Sequence, residues 1–410
     1  MCHAIGVKSA VPLSFQNLTH RQHFLKNQQN QKSSHENKTP NVYGTGRKEK
    51  QTPMKLPTLF LTIGFIAFPA AAMSEEDVWE LQNSGVATSL RGLCAVSETC
   101  CWASGAKGTV IRTTDGGKSW RTVGPPDTEA ADFRDLQAWD EFAAVIMSAG
   151  DVDRLYRTED GGTSWTVVYE HPEPGAFFDG MSFDPTGRRG WLMGDPIHGK
   201  VHLLTTDDAG WTWRQIPDLS SPSVADGIAA FAASGTHLLC PTKETVLIGL
   251  GGADVKSAAA SQAAVLMTTD SGQEWQTVTL PMRASKSAGV FSITAITPES
   301  PRLIVVGGDY LKPEQNTDNV ALSDDSGRTW RLPKTSRPAG FRSVVVSVLQ
   351  DDGHTLVITT GPSGTDQSTD GGESWHGISR IGFHTMSFVS PAIGWAAGSD
   401  GRVARWRPVK

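Results

Sequence analysis

The sequence has few of the features on which helical, membrane-spanning and nucleotide-binding proteins depend. Helix-forming runs are scarce among the 410 residues, and the apolar run from Leu56 to Phe68 is too short to cross a bilayer. No Gly-x-Gly-x-x-Gly motif follows a strand and opens a helix, so nothing supports nicotinamide binding, and we expect no cofactor. Tyrosine is also rare, with 4 residues against 13 tryptophans, which limits the phenols available as nucleophiles.

The N-terminal region differs in composition from the rest of the chain. Residues 1–53 are polar and carry eight Lys or Arg against two Asp or Glu, so they cannot bury enough apolar surface to fold. Lys55, the apolar run and the alanines at 70–72 then have the layout of a secretory signal peptide. We expect residues 1–53 to be disordered or an extension of the gene model, with Met54 as the true start. Residues 54–72 would then be a signal peptide, cleaved after Ala72.

This organisation predicts a periplasmic or secreted protein, and the alternative is an organellar transit peptide ahead of a second export signal. Neither a twin arginine nor a cysteine at the cleavage point is present, so a Tat signal and a lipid anchor are unsupported. Loss of the basic leader changes the formal charge from −6 to −13, because residues 1–53 carry six excess bases and Lys55 one more. A protein this acidic binds nucleic acid and anionic lipid poorly. We therefore expect no nucleic-acid partner and at most peripheral contact with a membrane.

Four cysteines remain after cleavage, namely Cys94, Cys100, Cys101 and Cys240. In an oxidising compartment Cys94 could form a small hairpin disulfide with Cys100 or Cys101, and buried free thiols are the alternative. The adjacent pair at 100 and 101 does not match the spacing of zinc ligands.

One short motif recurs six times. Its pattern is Ser/Thr-x-Asp-x-Gly-x-x-Trp, hereafter the box, first seen as TTDGGKSW at 113–120. The aspartates are separated by 45 to 62 residues, which is typical of a repeat architecture of small sheets. The aspartates are Asp115, Asp160, Asp208, Asp270, Asp325 and Asp370, and the tryptophans are Trp120, Trp165, Trp213, Trp275, Trp330 and Trp375.

Each repeat contains four strand-like segments, with the box between the third and the fourth. Four-stranded sheets stacked radially form a β-propeller. In the box, the aspartate can accept hydrogen bonds from turn amides, the glycines supply positive φ, and the tryptophan packs between sheets. A seventh repeat near the C-terminus lacks its fourth strand, and VWELQNSG at 78–85 can supply it. We therefore predict an all-β fold over residues 75–410, a seven-bladed β-propeller of four-stranded blades closed by an N-terminal strand.

These residues carry a family resemblance. The boxes resemble the Asp-box, or BNR, repeats of sialidases, and the pattern LRGL…CWASGAKGTVIRTTDGGKSW resembles the photosystem II stability/assembly factor family and its bacterial relatives. The segment GWLMGDPIHGK at 190–200 is similar to bacterial members that carry an oxidoreductase label. The resemblance covers essentially the whole mature chain and implies a non-catalytic assembly module, although boxes alone occur in unrelated activities.

The topology separates the boxes from the mouth of the central channel, where propellers usually bind ligands. Aligned starts of the seven inner strands give one residue per blade, which makes the mouth basic on one side and acidic on the other. We predict that this mouth binds carboxylates of a protein client, and the alternative is mutual ion pairing that plugs the channel. The aligned residues are Arg91, Arg134, Asp179, Asp226, Phe291, Arg342 and His384.

Two further site hypotheses concern the same end. His198 and Asp195 beside Asp179 could hold a metal, but scattered His and Asp are common on loops, so we expect none. A sialidase-type glycosidase would need an arginine cluster, a tyrosine nucleophile and an acid/base carboxylate. Tyr310 is the one mature-chain tyrosine expected on the correct face, with Asp179 or Asp226 as the acid/base residue. We predict a monomeric binding or assembly module for a protein client such as a membrane-protein complex. Glycoside hydrolysis or the chemistry of the oxidoreductase-labelled relatives is the alternative.

Overall fold

The computed structural model describes residues 77–150, 153–172, 176–217, 220–253, 261–297 and 299–408. The predicted extension, the signal peptide and its cleavage site after Ala72 lie outside these residues. Within the described part, no helix is long and apolar enough to span a membrane. The prediction of an all-β fold is confirmed, since the described elements are antiparallel strands and a 3-10 turn at Ser399–Gly401.

The strands form consecutive sheets along the chain, which we number in that order. The N-terminal strand is β1 (Trp79–Gln82). Sheet 1 has β2 (Leu90–Ala95), β3 (Cys101–Gly105), β4 (Val110–Thr113) and β5 (Arg121–Thr122). Sheet 2 has β6 (Asp132–Ala138), β7 (Ala144–Ala149), β8 (Arg154–Thr158) and β9 (Thr166–Glu170). Sheet 3 has β10 (Phe178–Phe183), β11 (Gly190–Ile197), β12 (Lys200–Thr206) and β13 (Arg214–Gln215).

The later sheets vary more. Sheet 4 has β14 (Ile228–Ala229), β15 (Leu238–Leu239), β16 (Val246–Gly252), β17 (Ala264–Thr268) and β18 (Gln276–Thr279). Sheet 5 has β19 (Ala288–Ala295), β20 (Leu303–Asp309) and β21 (Val320–Ser323). Sheet 6 has β22 (Val344–Leu349), β23 (Thr355–Gly361), β24 (Gly364–Ser368) and β25 (His376–Ser379). Sheet 7 has β26 (Thr385–Ser390), β27 (Ile393–Ala397) and β28 (Val403–Trp406). A single pairing of Gly251 with Gly289 joins sheets 4 and 5 into one eight-stranded sheet.

The N-terminal strand completes the last sheet. Strand β1 pairs antiparallel with β28, from Trp79 opposite Trp406 to Gln82 opposite Val403. First strands of successive sheets contact one another from β2 through β6, β10, β15, β19 and β22 to β26, and β26 contacts β2. This repeated organisation of antiparallel, mostly four-stranded sheets is consistent with a β-propeller.

Apolar side chains hold neighbouring sheets together. Among the described residues, seven buried clusters each combine side chains from two consecutive sheets, and one of them combines sheet 7 with sheet 1. Each box tryptophan packs in the cluster shared with the preceding sheet. Trp165, for example, lies edge-on to Trp102 with a centroid distance of 6.5 Å.

The box aspartates organise the turns between third and fourth strands. In the first box, Asp115 accepts hydrogen bonds from the Thr113 hydroxyl at 2.8 Å, the Ser119 amide at 2.9 Å and the Ser119 hydroxyl at 2.6 Å. The same three bonds occur at Asp160, Asp208, Asp325 and Asp370. Glu274 replaces the hydroxyl residue in the fourth box, so of the two bonds made by that position only the one from the Glu274 amide reaches Asp270. Because the carboxylate is the acceptor, the bonds made by Ser119 lower the pKa of Asp115 to about 2.

The four described cysteines are free thiols in the structure, with Cys94 half-buried and Cys100, Cys101 and Cys240 buried. Cys94 and Cys100 pack in the cluster between sheets 1 and 2. Cys101 points to the other side of its sheet and packs with Leu90 and Trp395. Cys94 and Cys100 therefore lie on the same side of sheet 1, and Cys101 lies on the other side. Burial raises the pKa of the Cys94 and Cys100 thiols to about 11.

Candidate functional site

Four of the seven aligned positions coincide with irregularities in the first strands. In sheet 1, Leu90 pairs with Gly105 and Gly92 with Ser104, so Arg91 is the extra residue of a β-bulge. The register shifts in the same way around Arg134, Asp179 and Phe291. A bulge re-aims the side chain of its extra residue, which explains why one residue in each of these four sheets is set apart at the end where the first strands begin. We call this end the entry side.

Sheet 4 departs from this pattern. Ala229 pairs with Gly251 and Leu238 with Ile248, so eight residues, 230–237, lie opposite only two residues of β16. We call residues 230–237 the excursion. Gly235 within it has a φ of +75°, and a Cβ atom there would lie 2.2 Å from the carboxyl carbon of Asp135. Only glycine therefore fits where the excursion meets sheet 2.

Two of the predicted arginines meet the excursion. Arg134 donates a hydrogen bond from Nη1 to the carbonyl oxygen of Ala232 at 2.9 Å, and Arg91 donates one to Ala233 at 3.4 Å. Arg134 is buried and pairs through Nε with Asp132 at 2.7 Å. The pKa of half-buried Arg91 is lowered to about 10 by desolvation and by Arg134, whose effect exceeds the opposite effect of Asp132. The two guanidiniums therefore share one positively charged region.

His384 and Arg402 extend this region. Desolvation and the charges of Arg91, Arg134 and Arg402 hold the pKa of His384 well below its usual value, so the imidazole is neutral at pH 7. Its Nε2 lies 3.0 Å from the Ser399 hydroxyl. We name Arg91, Arg134 and Arg402 the guanidinium cluster. Arg402 was missed in the sequence because it follows the 3-10 turn between β27 and β28 and does not begin a first strand.

Arg342 does not belong to this cluster, which corrects the sequence prediction. Its side chain is 1% exposed, and it donates from Nε to Oδ2 of Asp366 at 2.6 Å; Asp366 is equally buried. Further bonds join it to the Phe341 carbonyl and the Ser363 hydroxyl. A buried, fully paired guanidinium is a structural element of sheet 6, and its partner was not visible in the alignment because Asp366 lies on the third strand.

The predicted acidic side is not assembled as one group. Asp179 is the buried extra residue of β10, at 1% exposure. Asp226 is exposed and precedes β14, so it does not occupy the aligned position, which in sheet 4 falls within the excursion. His198 is exposed in the hairpin between β11 and β12. Among the described residues, no group of three or more His, Cys, Asp or Glu could hold a metal.

Aromatic rings surround the start of the excursion. Phe231 of the excursion stacks on Phe291 at a centroid distance of 4.2 Å and an interplanar angle of 8°. Tyr310 lies 6.4 Å from both rings, and Phe341 packs edge-on to Phe291. Burial and Asp309 raise the pKa of Tyr310, which makes this phenol a poorer source of phenolate than a free tyrosine.

The opposite end of the first strands opens into a cavity of about 290 Å³. Leu239, Ile296 and Leu349 are among the residues that line it. Its one cysteine, Cys240, has a pKa raised to about 12 by burial, so the thiol is not activated. The residues that line the cavity are uncharged, so it offers no ion pair to a ligand.

Comparison with known proteins gives a likeness at the level of fold. No protein-family model matches the chain, and no curated protein matches it. The chain is similar to a solved structure described as YCF48 bound to D1 peptide, with a TM-score of 0.54, 16% identity and coverage of 85% of this chain and 100% of that chain. It is also similar to YCF48 from Cyanidioschyzon merolae, with a TM-score of 0.54, 14% identity and coverage of 80% and 99%. At these identities the likeness shows the fold.

Proposed function

We propose that this protein is a non-catalytic binding or assembly module, built as a closed seven-bladed β-propeller, which recognises carboxylates of a protein client through the guanidinium cluster. The observation that carries the proposal is that Arg91 and Arg134, from the first strands of neighbouring sheets, direct their guanidiniums to adjacent carbonyl oxygens, those of Ala233 and Ala232. Guanidiniums form strong, charge-assisted and often bidentate hydrogen bonds with carboxylates, and Arg91 remains half-exposed on the entry side.

Three observations support the closed ring. Strand β1 pairs with β28, the first strands contact one another in a cycle, and one apolar cluster combines sheet 7 with sheet 1. Closure removes the exposed edges that a row of sheets would otherwise present. The box turns and the guanidinium cluster would then lie on opposite faces of the ring.

The identity of the structural neighbours supports a protein client. One of them is described as bound to D1 peptide, and the sequence resembles the photosystem II stability/assembly factors. We extend the proposal to a monomeric, periplasmic or secreted protein that is delivered by the signal peptide at 54–72. The client would be an extracytoplasmic protein or the exposed part of a membrane-protein complex.

A peptide-binding assay tests the recognition step. Fluorescence anisotropy of N-terminally labelled peptides, ending in either a free carboxylate or an amide, would be measured with the full chain. We expect the carboxylate form to bind more tightly and Arg91→Ala to weaken its binding about 10- to 100-fold, as expected for loss of a charge-assisted bond. Arg121→Ala, at an exposed position on β5, is the matched control and should leave binding unchanged. Equal binding of both peptide forms, or an unchanged Arg91→Ala variant, would contradict the proposal.

A further inference from the structure

The excursion occupies the guanidinium cluster with carbonyl groups of its own backbone. We propose that residues 231–236 are a resident competitor, which a client C-terminal carboxylate displaces from Arg91 and Arg134 on binding. This inference rests on the proposed function, because it assumes that the cluster recognises carboxylates.

The length of the excursion sets it apart from the other first strands. The bulges at Arg91, Arg134, Asp179 and Phe291 each insert one residue. Between the pairs Ala229–Gly251 and Leu238–Ile248 the register instead shifts by six. Five residues beyond an ordinary bulge therefore loop out of the first strand, toward the first strands of other sheets.

Two of these extra residues contact the predicted ligand-binding groups. The carbonyls of Ala232 and Ala233 accept from Arg134 and Arg91 at 2.9 and 3.4 Å. A neutral carbonyl is a weaker acceptor for a guanidinium than a carboxylate, since charge-assisted hydrogen bonds are roughly twice as strong. A carboxylate that reaches the same place would therefore displace both carbonyls.

The excursion is held by a few polar contacts and one ring. The Ser234 hydroxyl donates to the carbonyl of Ser343 at 2.8 Å, and the Thr236 hydroxyl donates to Ser292 at 2.7 Å. Phe231 anchors its start by stacking on Phe291. The residues between are small, so their withdrawal would uncover little apolar surface.

The same geometry indicates the class of ligand. The excursion places an aromatic side chain in an aromatic site and, one and two residues later, carbonyl oxygens on the two guanidiniums. A peptide whose chain ends in Phe-Ala-Ala with a free carboxylate would present the same groups in the same order. We therefore infer a preference for C-termini that carry an aromatic or large apolar residue two positions before the end.

Shortening the excursion tests this inference. Deletion of residues 232–236 leaves three residues opposite two, the count of an ordinary one-residue bulge. The probe is fluorescein-Gly-Ser-Gly-Phe-Ala-Ala with a free carboxylate, and its C-terminal amide is the control. We expect the deletion variant of the full chain to bind the carboxylate probe about tenfold or more tightly than the unaltered protein, because no internal acceptor competes. Adding Arg91→Ala to the deletion should abolish this gain.

A second readout does not depend on the deletion variant folding. Phe231→Ala removes the anchoring ring and should also tighten binding of the carboxylate probe. In the unaltered protein, saturating probe should increase amide hydrogen exchange at Ala233, whose amide bonds to the Phe231 carbonyl, and decrease exchange in β2.

The outcomes separate the two proposals. The unaltered protein, the deletion variant and Phe231→Ala could bind the carboxylate probe equally tightly and in a way that depends on Arg91. With unchanged amide exchange at 231–236, that result would show that the excursion is a rigid part of the site. That result would overturn the inference and leave the proposed function standing. No carboxylate-selective binding in any of the proteins would overturn the proposed function itself.

Discussion

Arg134 and Ala232 lie 98 residues apart in sequence, and a 2.9 Å hydrogen bond joins the guanidinium of the first to the carbonyl of the second. This bond links the bulge of sheet 2 to the excursion of sheet 4. Through this bond, Arg134 of the guanidinium cluster takes part in a contact between two sheets. The guanidiniums that we propose as the ligand-binding group therefore already contact an internal acceptor.

The arginines at the aligned positions should differ in their effect on stability. Arg342→Ala leaves the carboxylate of Asp366 buried without its ion pair, so we expect it to lower the free energy of unfolding by about 3–5 kcal/mol. Arg91→Ala removes a half-buried group whose bond to the Ala233 carbonyl is 3.4 Å long. The acceptor in that bond is not a carboxylate as deeply buried as Asp366, so the substitution should cost less than Arg342→Ala, about 1 kcal/mol. Urea denaturation of both variants measures the difference.

A double variant controls for the loss of packing. Replacing Arg342 by Met and Asp366 by Leu removes both charges, and this pair should recover most of the stability lost in Arg342→Ala. Equal destabilisation by Arg91→Ala and Arg342→Ala would contradict the distinction between a ligand-binding and a structural arginine.

These arginines also show how far the sequence could predict the site. The period of the boxes and the apolar segments between them specify the strands, and aligned strand starts identified the bulge residues Arg91 and Arg134. The excursion could not be predicted in this way, because FAASGTH has no strand pattern and its partners lie on four other sheets. The alignment of first strands therefore assigns Asp226 to the sheet 4 position, which in the structure falls within residues 230–237. Arg342 is engaged by Asp366 on the third strand of its sheet. A comparison of first strands alone carries no information about residues on the third strand.

The box aspartates should contribute to stability only while they are ionised. Asp370→Ala removes the acceptor for the Ser374 amide and hydroxyl, so we expect a loss of about 1–2 kcal/mol at pH 7. The pKa of Asp370 is lowered in the folded protein, so this contribution is present above the unfolded pKa of about 3.9 and is lost as pH falls through the folded value. The difference in melting temperature between variant and unaltered protein should therefore shrink at low pH. Asp351→Ala, at an exposed loop position, is the control and should have no such effect.

Two histidines whose pKa is lowered in the folded protein should make it less stable as pH falls below about 6.5. Burial lowers the pKa of His237 to about 4, and the pKa of His384 is also well below its usual value. The unfolded chain binds a proton at each histidine in this range and the folded protein does not, so acid favours unfolding. Asp135 acts in the opposite direction, because burial raises its pKa to about 7 and the folded protein then holds a proton that the unfolded chain lacks.

The His237→Leu variant isolates one of these effects. Neither ring nitrogen of His237 has a hydrogen-bond partner among the described residues, so the substitution should be nearly neutral at pH 7.5. Between pH 6 and 4.5 the substitution should reduce the slope of the unfolding free energy against pH by up to about 1.4 kcal/mol per pH unit. That slope corresponds to one proton taken up on unfolding. Urea titrations at several pH values measure this slope, and an unchanged slope would show that His237 is not a buried neutral imidazole.

The proposed closure of the ring by β1 gives the last prediction. Trp79 is 3% exposed and packs on Phe383 and Trp406 at centroid distances of 5.2 and 5.1 Å, so Trp79→Ala should lower the free energy of unfolding by about 3–5 kcal/mol. Leu81 lies on the same strand but is 58% exposed, and Leu81→Ala should change stability by less than about 0.5 kcal/mol. If β1 did not close the ring, both variants would have equally small effects, because neither side chain would be buried in sheet 7. A large loss confined to Trp79→Ala in urea denaturation would therefore support the N-terminal strand as the fourth strand of the last blade.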